Sequence, residues 1–171
     1  MPLTASRASL AATGTVNVGG DVMSGHITLT GTNSLSVIGD VGALLTLSGN
    51  IGEATAGASL NMIGTRTVTL SGTNTYTGET TISTGTHNAV GAFTSNFTVA
   101  TGAAFGGEGV TTGTVTFANG TNFNFNAGTT GTNQFFRAAD VIVAPAEVVN
   151  VALTGPTSAT DAVVLRDGSG G

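Results

Sequence analysis

Apolar and polar residues alternate along most of the chain. The pairs Val16/Val18, Ile27/Leu29, Leu35/Val37, Leu45/Leu47, Val68/Leu70, Phe97/Val99, Val115/Phe117, Phe123/Phe125 and Val149/Val151 are each split by a single Thr, Ser or Asn. A period of two is the signature of strands with one face buried. It predicts many short strands and no long helix. Ala138 to Pro145 is a further apolar stretch, broken by Asp140, and VVNVALTG at 148–155 reads as a strand. AVVLRDGSGG at 162–171 reads as a strand running into a Gly-rich turn.

A short phrase also returns along the chain: TLTGTN at 28–33, TLSGN at 46–50, TLSGTN at 69–74 and the looser TFANGTN at 116–122. Leu29 and Leu47 are 18 positions apart, Leu47 and Leu70 are 23, and Phe97 and Phe117 are 20. Gly-Asp-Val at 20–22 recurs at 39–41. Sandwiches also carry many short strands, but similar words recurring at one larger spacing, near ~20 residues, point to a solenoid. In such a stack, identical positions lie above one another about 4.8 Å apart. Leu29, Leu47 and Leu70 are then expected to share one inner ladder. Asn33, Asn50 and Asn74 are expected to form a corner ladder joined by amide hydrogen bonds.

Composition agrees with this pattern. The 171 residues include 32 Thr and 27 Gly, no Lys and four Glu, and charged residues make up 8%. Thr and Val suit a pleated surface. The formal charge is −5 with four Arg as the only Lys/Arg residues, so no basic stripe supports phosphate binding by nucleic acid. No apolar run reaches the ~20 residues of a spanning helix. Cysteine is absent, which excludes disulfides and thiolate-bound metal. Met1 to Ala12 has no apolar h-region of a secretory signal. The expectation is a chain used without that export route or cut from a longer precursor.

VTLSGTNTYTGETTISTGT at 68–86 resembles the passenger-associated repeat of bacterial autotransporters. LTLSGNIG at 45–52 is similar to the lead-in of that repeat, and SNFTVATGAAFGGEGVTTGTVTF at 95–117 to the coil that follows it, where VxxGAxLGGxG is usual. The resemblance covers residues 27–128. It implies a right-handed parallel β-helix stalk on a secreted passenger, and no particular activity. The chain departs from the family at Glu79, where Gly is usual, and at His87, where Leu follows Thr and fills an inner position. The one Tyr and absent Trp of these residues do not read as a translocating barrel, so on this resemblance the sequence is expected to be a piece of a longer passenger. The VLRDG phrase near the C-terminus loosely resembles the ends of small phage structural proteins.

Candidate chemistry is sparse. Asp21 and Asp40 are about one coil apart, as are Asp140 and Asp161, and stacking could bring each pair to the ~5–5.5 Å separation of a retaining glycosidase. The plainer reading is solvated Asp at Gly-Asp turns. Ca²⁺ needs six to eight clustered oxygens. The GGEG at 106–109 only superficially resembles the GGxGxDxUx phrase. His26 and His87 have no partner spacing and read as surface or rung-edge residues. Thr-x-Thr at 28/30/32, 65/67/69, 73/75/77 and 112/114/116 could form an ice-binding array, but the triplets do not recur at one position per coil. Tyr76 and the Phe residues read as core or rung-edge packing rather than a sugar platform; Tyr76, within NTYTG, is the one aromatic that could be exposed enough to stack on a ligand.

The expectation is an all-β, right-handed parallel β-helix of roughly seven coils with a less regular C-terminal strand region. Residues 1–13 would form an N-terminal arm, 14–134 the β-helix repeats and 135–171 the C-terminal strands or hairpin. The expected function is a non-catalytic structural spacer of an autotransporter-like passenger, extracellular or on the bacterial cell surface. The alternatives are an oligomeric phage virion protein, as head decoration or fibre, and a glycan-binding or glycan-cleaving β-helix. No catalytic, cofactor or metal residue is assigned. Neither terminus reads as an amphipathic cap, so neighbouring copies or flanking segments are expected to stack on the ends, within an oligomer or a larger chain. A surface glycan is a candidate ligand; nucleic acid and a membrane span are not expected.

Overall fold

The computed structural model describes residues 12–18, 22–37, 44–126, 136–145 and 148–154. Among them there is no helix, and the strands lie in three sheets. Numbered in chain order, the first sheet holds β1 (Ala12–Val18), β3 (Ile27–Val37), β6 (Ser59–Gly64), β9 (Thr80–Ile82), β12 (Phe97–Val99), β15 (Thr114–Phe117) and β17 (Asp140–Val143), with β5 (Ile51–Glu53) pairing the first part of β3. The second holds β2 (Val22–Met23), β4 (Leu44–Leu47), β7 (Thr67–Leu70), β10 (Thr86–Ala89), β13 (Ala104–Gly106), β16 (Thr121–Asn126) and β18 (Val149–Thr154). The third is β8 (Thr73–Asn74), β11 (Ala92–Phe93) and β14 (Val110–Thr111).

Every described pairing is parallel. From β7 to β15 the chain visits the second, third and first sheets in turn, three times over, and each return lands one strand further along. Parallel neighbours need a crossover between them. Here the crossover is the passage through the other two sheets, an arrangement consistent with a solenoid.

Register brings the alternating apolar residues into columns. In the second sheet Leu45, Val68, His87, Phe105 and Phe123 lie above one another. Leu47, Leu70 and Ala89 form the neighbouring column. The first sheet contributes Leu60, Thr80, Phe97 and Val115, and beside them Met62, Ile82, Val99 and Phe117. Apart from Phe123, which is half-buried, these side chains are buried in one continuous core. Each large apolar side chain so buried contributes about 1.5–3 kcal/mol. Phe105 is the hub of the upper core, with ring centroids of Phe136, Phe97, Phe117 and Phe123 at 4.9, 5.3, 6.1 and 6.4 Å.

Glycine sets how closely the turns approach. A Cβ on Gly49 would fall 2.0 Å from the carbonyl oxygen of Gly25. One on Gly72 would fall 2.3 Å from that of Gly49, one on Gly91 2.0 Å from that of Gly72, and one on Gly109 2.3 Å from that of Gly91. At Gly49 and Gly72 of the repeated phrase, and at Gly91 and Gly109 beyond it, glycine is therefore a stacking requirement. The backbone of the turn below occupies the space a side chain would need.

This stacking corrects two expectations. Leu47 and Leu70 do pair, but Leu29 lies on β3 in the first sheet, where it pairs with Glu53, and Met23 takes the place below Leu47. The three asparagines form no amide ladder. Asn33 pairs with Leu60 in the first sheet, Asn50 is exposed at a turn, and Asn74 is buried in β8. Strands β17 and β18, within the stretch 135–171, extend the first and second sheets in parallel.

Candidate functional site

Many of the described polar side chains either tie one turn to the next or lie in the core. Asn50 Oδ1 accepts the Thr73 N–H at 2.9 Å. Asn96 Oδ1 accepts that of Thr114 at 2.9 Å, and Asn119 Oδ1 that of Val148 at 2.9 Å. Each asparagine precedes a strand or its entry turn and satisfies a backbone donor one turn on. Thr77 Oγ1 and Thr84 Oγ1 accept the N–H groups of Gly57 and Gly64, one turn back.

Glu53 organises the loop 54–58. Its Oε2 accepts the N–H groups of Thr77 and Ala58, each at 3.0 Å, and Oε1 accepts the Thr77 hydroxyl at 2.8 Å. The hydrogen bond from the Thr77 backbone, opposed by partial burial and helped by the Thr77 hydroxyl and the Ala58 and Gly57 backbone, holds its pKa below the usual 4.5. Glu79, exposed just before β9, accepts the Thr98 hydroxyl.

A second polar group is closed to solvent. Tyr76 is fully buried, its hydroxyl 2.5 Å from Thr80 Oγ1, which lies 3.0 Å from Ser95 Oγ. Thr111 Oγ1 donates to the Ser95 carbonyl at 2.7 Å. Burial pushes the Tyr76 pKa up against the two hydroxyl hydrogen bonds that lower it. Tyr76 therefore cannot stack on a ligand. Its apolar ring fills the core, and the Thr80 and Ser95 hydroxyls give its polar tip partners there. They also explain why Thr80 can occupy an inner position between Leu60 and Phe97.

His87 is the third case. It is fully buried rather than at the surface, in the inner column of the second sheet between Val68 and Phe105. Its ring lies 5.9 Å from Phe105, stacked at 23°, and 5.9 Å from Phe97. Neither ring nitrogen has a hydrogen-bond partner. Burial pushes its pKa down from 6.5 to about 3. The aromatic faces could favour an imidazolium by about 2 kcal/mol or somewhat more. Taking an unpaired ion out of water costs several kcal/mol, so desolvation wins and the ring is neutral. His26, by contrast, is exposed. The Nε and Nη1 atoms of Arg66, at the turn into β7, are also buried without partners.

The remaining candidates form no site among the described residues. Asp21, Asp40 and Asp161 lie outside the described residues. Asp140 is exposed at the start of β17, and its Oδ1 accepts the Val141 N–H at 2.8 Å. Among the described residues, no three His, Cys, Asp or Glu side chains group as metal ligands would. In GGEG, Gly106 and Gly107 would each clash through a Cβ with backbone of a neighbouring turn, so the phrase serves packing. The Thr-x-Thr triplets are dispersed: Thr67 and Thr69 lie in the second sheet, Thr114 and Thr116 in the first, and Thr73 in the third. Thr81, Thr98 and Thr116 do stack in register on the first sheet. No described helix is long and apolar enough to cross a membrane.

The geometry defines the class: an all-β chain of parallel strands in stacked sheets, with polar side chains used for stacking. Comparison with known proteins adds no identification, because no family model, no curated protein and no solved structure matches the chain.

Proposed function

We propose that the chain is a right-handed parallel β-helix of roughly seven coils that serves as a structural spacer of an autotransporter-like passenger at the bacterial cell surface, without catalysis. The observation that carries this reading is the continuous inner column from Leu45 to Phe123, built by strands that return to the same sheet one turn further on. Such a stack resists bending and gains length one turn at a time, about 4.8 Å each. The seven strands in the second sheet support the coil number. The motif words of residues 27–128 support the passenger reading.

At the far end of the described stack, Val143 and Val151 occupy inner-column positions yet remain 40% and 39% exposed. On this reading, flanking chain or a neighbouring copy covers them. That surface also suits the virion alternative, in which the protein assembles as an oligomer.

Immunoblotting of fractionated source material tests the reading. The expected result is a product larger than 16.6 kDa at the cell surface. A product of 16.6 kDa that co-purifies with virus particles would overturn the passenger reading in favour of the virion one.

A further inference from the structure

We propose that His87 is an acid-sensing seam in the stack: at neutral pH its rung, β10 between β7 and β13, stays shut, and at mildly acidic pH its local opening becomes progressively more frequent. His87 is fully buried between Val68 and Phe105 and against Phe97, with both nitrogens unpartnered. A neutral ring can remain there. A protonated ring has two N–H donors and a charge, and the column offers no acceptor for either.

The charged groups on the packed elements do not change this. β7 presents Val68, β12 presents Phe97 and β13 presents Phe105. Arg66, two residues before Val68, is buried with Nε and Nη1 unpartnered and, being a donor only, supplies no acceptor. Glu108, two residues beyond β13, is exposed. Phe136, packed on Phe97 and Phe105, closes the aromatic side. Proton uptake therefore requires the imidazole to reach water, so one proton is linked to one opening event. Opening would unpair the facing edges of β7 and β13 and uncover Phe97 and Phe105. The inference does not depend on the surface-spacer reading.

Hydrogen exchange followed by mass spectrometry tests it, corrected for the intrinsic pH dependence of amide exchange. In the wild-type protein, the opening population of residues 86–89 should rise by up to about tenfold per pH unit below the ordinary His pKa near 6.5. His87→Leu should abolish that slope, and His26→Asn should leave it unchanged. The second measurement is a direct NMR titration of the His87 imidazole in the wild-type chain, which needs no variant to fold. His87 should not titrate within the closed protein at pH 5. An ordinary midpoint for His87 in a fully closed protein, or equal slopes in wild type and His87→Leu, would overturn the proposal.

Discussion

Asn50 Oδ1 accepts the backbone N–H of Thr73 at 2.9 Å, reaching from one turn of the stack to the next. Turns are where parallel strands lose their ladder bonds, and an amide oxygen at the corner replaces one. Asn96 and Asn119 repeat the device. Asn50→Ala should lower stability by about 0.5–1.5 kcal/mol, the net value of a typical hydrogen bond. Asn50→Asp keeps an acceptor and should recover most of that at neutral pH. Denaturant midpoints at constant slope measure both.

Gly72 sits 23 residues after Gly49, directly over its carbonyl. A Cβ there meets the Gly49 oxygen at 2.3 Å and the carbonyl carbon at 2.7 Å, and neither belongs to a side chain that can swing away. Gly72→Ala should cost about 3 kcal/mol, the upper part of the overpacking range. Gly57 has φ +88° but nothing within 4 Å of a Cβ. Asn tolerates that left-handed backbone, so Gly57→Asn should lie within about 1 kcal/mol of wild type. Equal losses at the two positions would mean that close approach is not what Gly72 serves.

The alternation of apolar residues was enough to place most strands, because a period of two survives whichever sheet a strand joins. The repeated words were a poorer guide. TLTGTN at 28–33 reads like TLSGTN at 69–74, yet β3 lies in the first sheet and β7 in the second. The turn that aligns with Gly49 and Gly72 is the one at Gly25, whose surrounding sequence shares little beyond Ser-Gly. Register follows the clash at the glycine, not similarity of the strand. His87 lies in the core instead of at the surface for a different reason, whereas the core reading of Tyr76 holds. A polar residue type argues for exposure only when its turn can choose its face. His87 shares a strand with buried Ala89 and stacks on Val68, so parity forces it inward. Tyr76 finds its hydroxyl partners at Thr80 and Ser95, and the pairing with Ser95 is invisible until the turns are stacked.

Phe105 touches the rings of His87, Phe97, Phe117, Phe123 and Phe136 and is fully buried. Its removal leaves a cavity that five rings on separate strands and loops cannot readily fill. Phe105→Ala should cost about 3–5 kcal/mol, where Val110→Ala, on an exposed position of β14, should cost under about 1 kcal/mol. Thermal unfolding at fixed pH compares them.

Two groups should divide the acid response of stability between two pH windows. His87 has a folded pKa of about 3 against an ordinary 6.5. Below 6.5 the unfolded chain binds a proton that the folded chain does not. Stability is therefore fully present above 6.5 and falls with pH towards 3, by about 1.4 kcal/mol per unit at most. Glu53 has a lowered folded pKa, chiefly through the Thr77 backbone bond. Its contribution is present above its ordinary 4.5 and is lost only as pH falls below that value, through the folded pKa. His87→Leu should flatten the profile between pH 6.5 and 5, and should also gain about 1–3 kcal/mol at pH 7 by removing unpaired polar nitrogens from the core. Glu53→Gln should leave that window unchanged and flatten the profile only below 4.5. Denaturant titrations of the three proteins from pH 7 to 3 read out both windows. A wild-type profile that is level down to pH 5 would mean that His87 reaches a proton acceptor in the folded state.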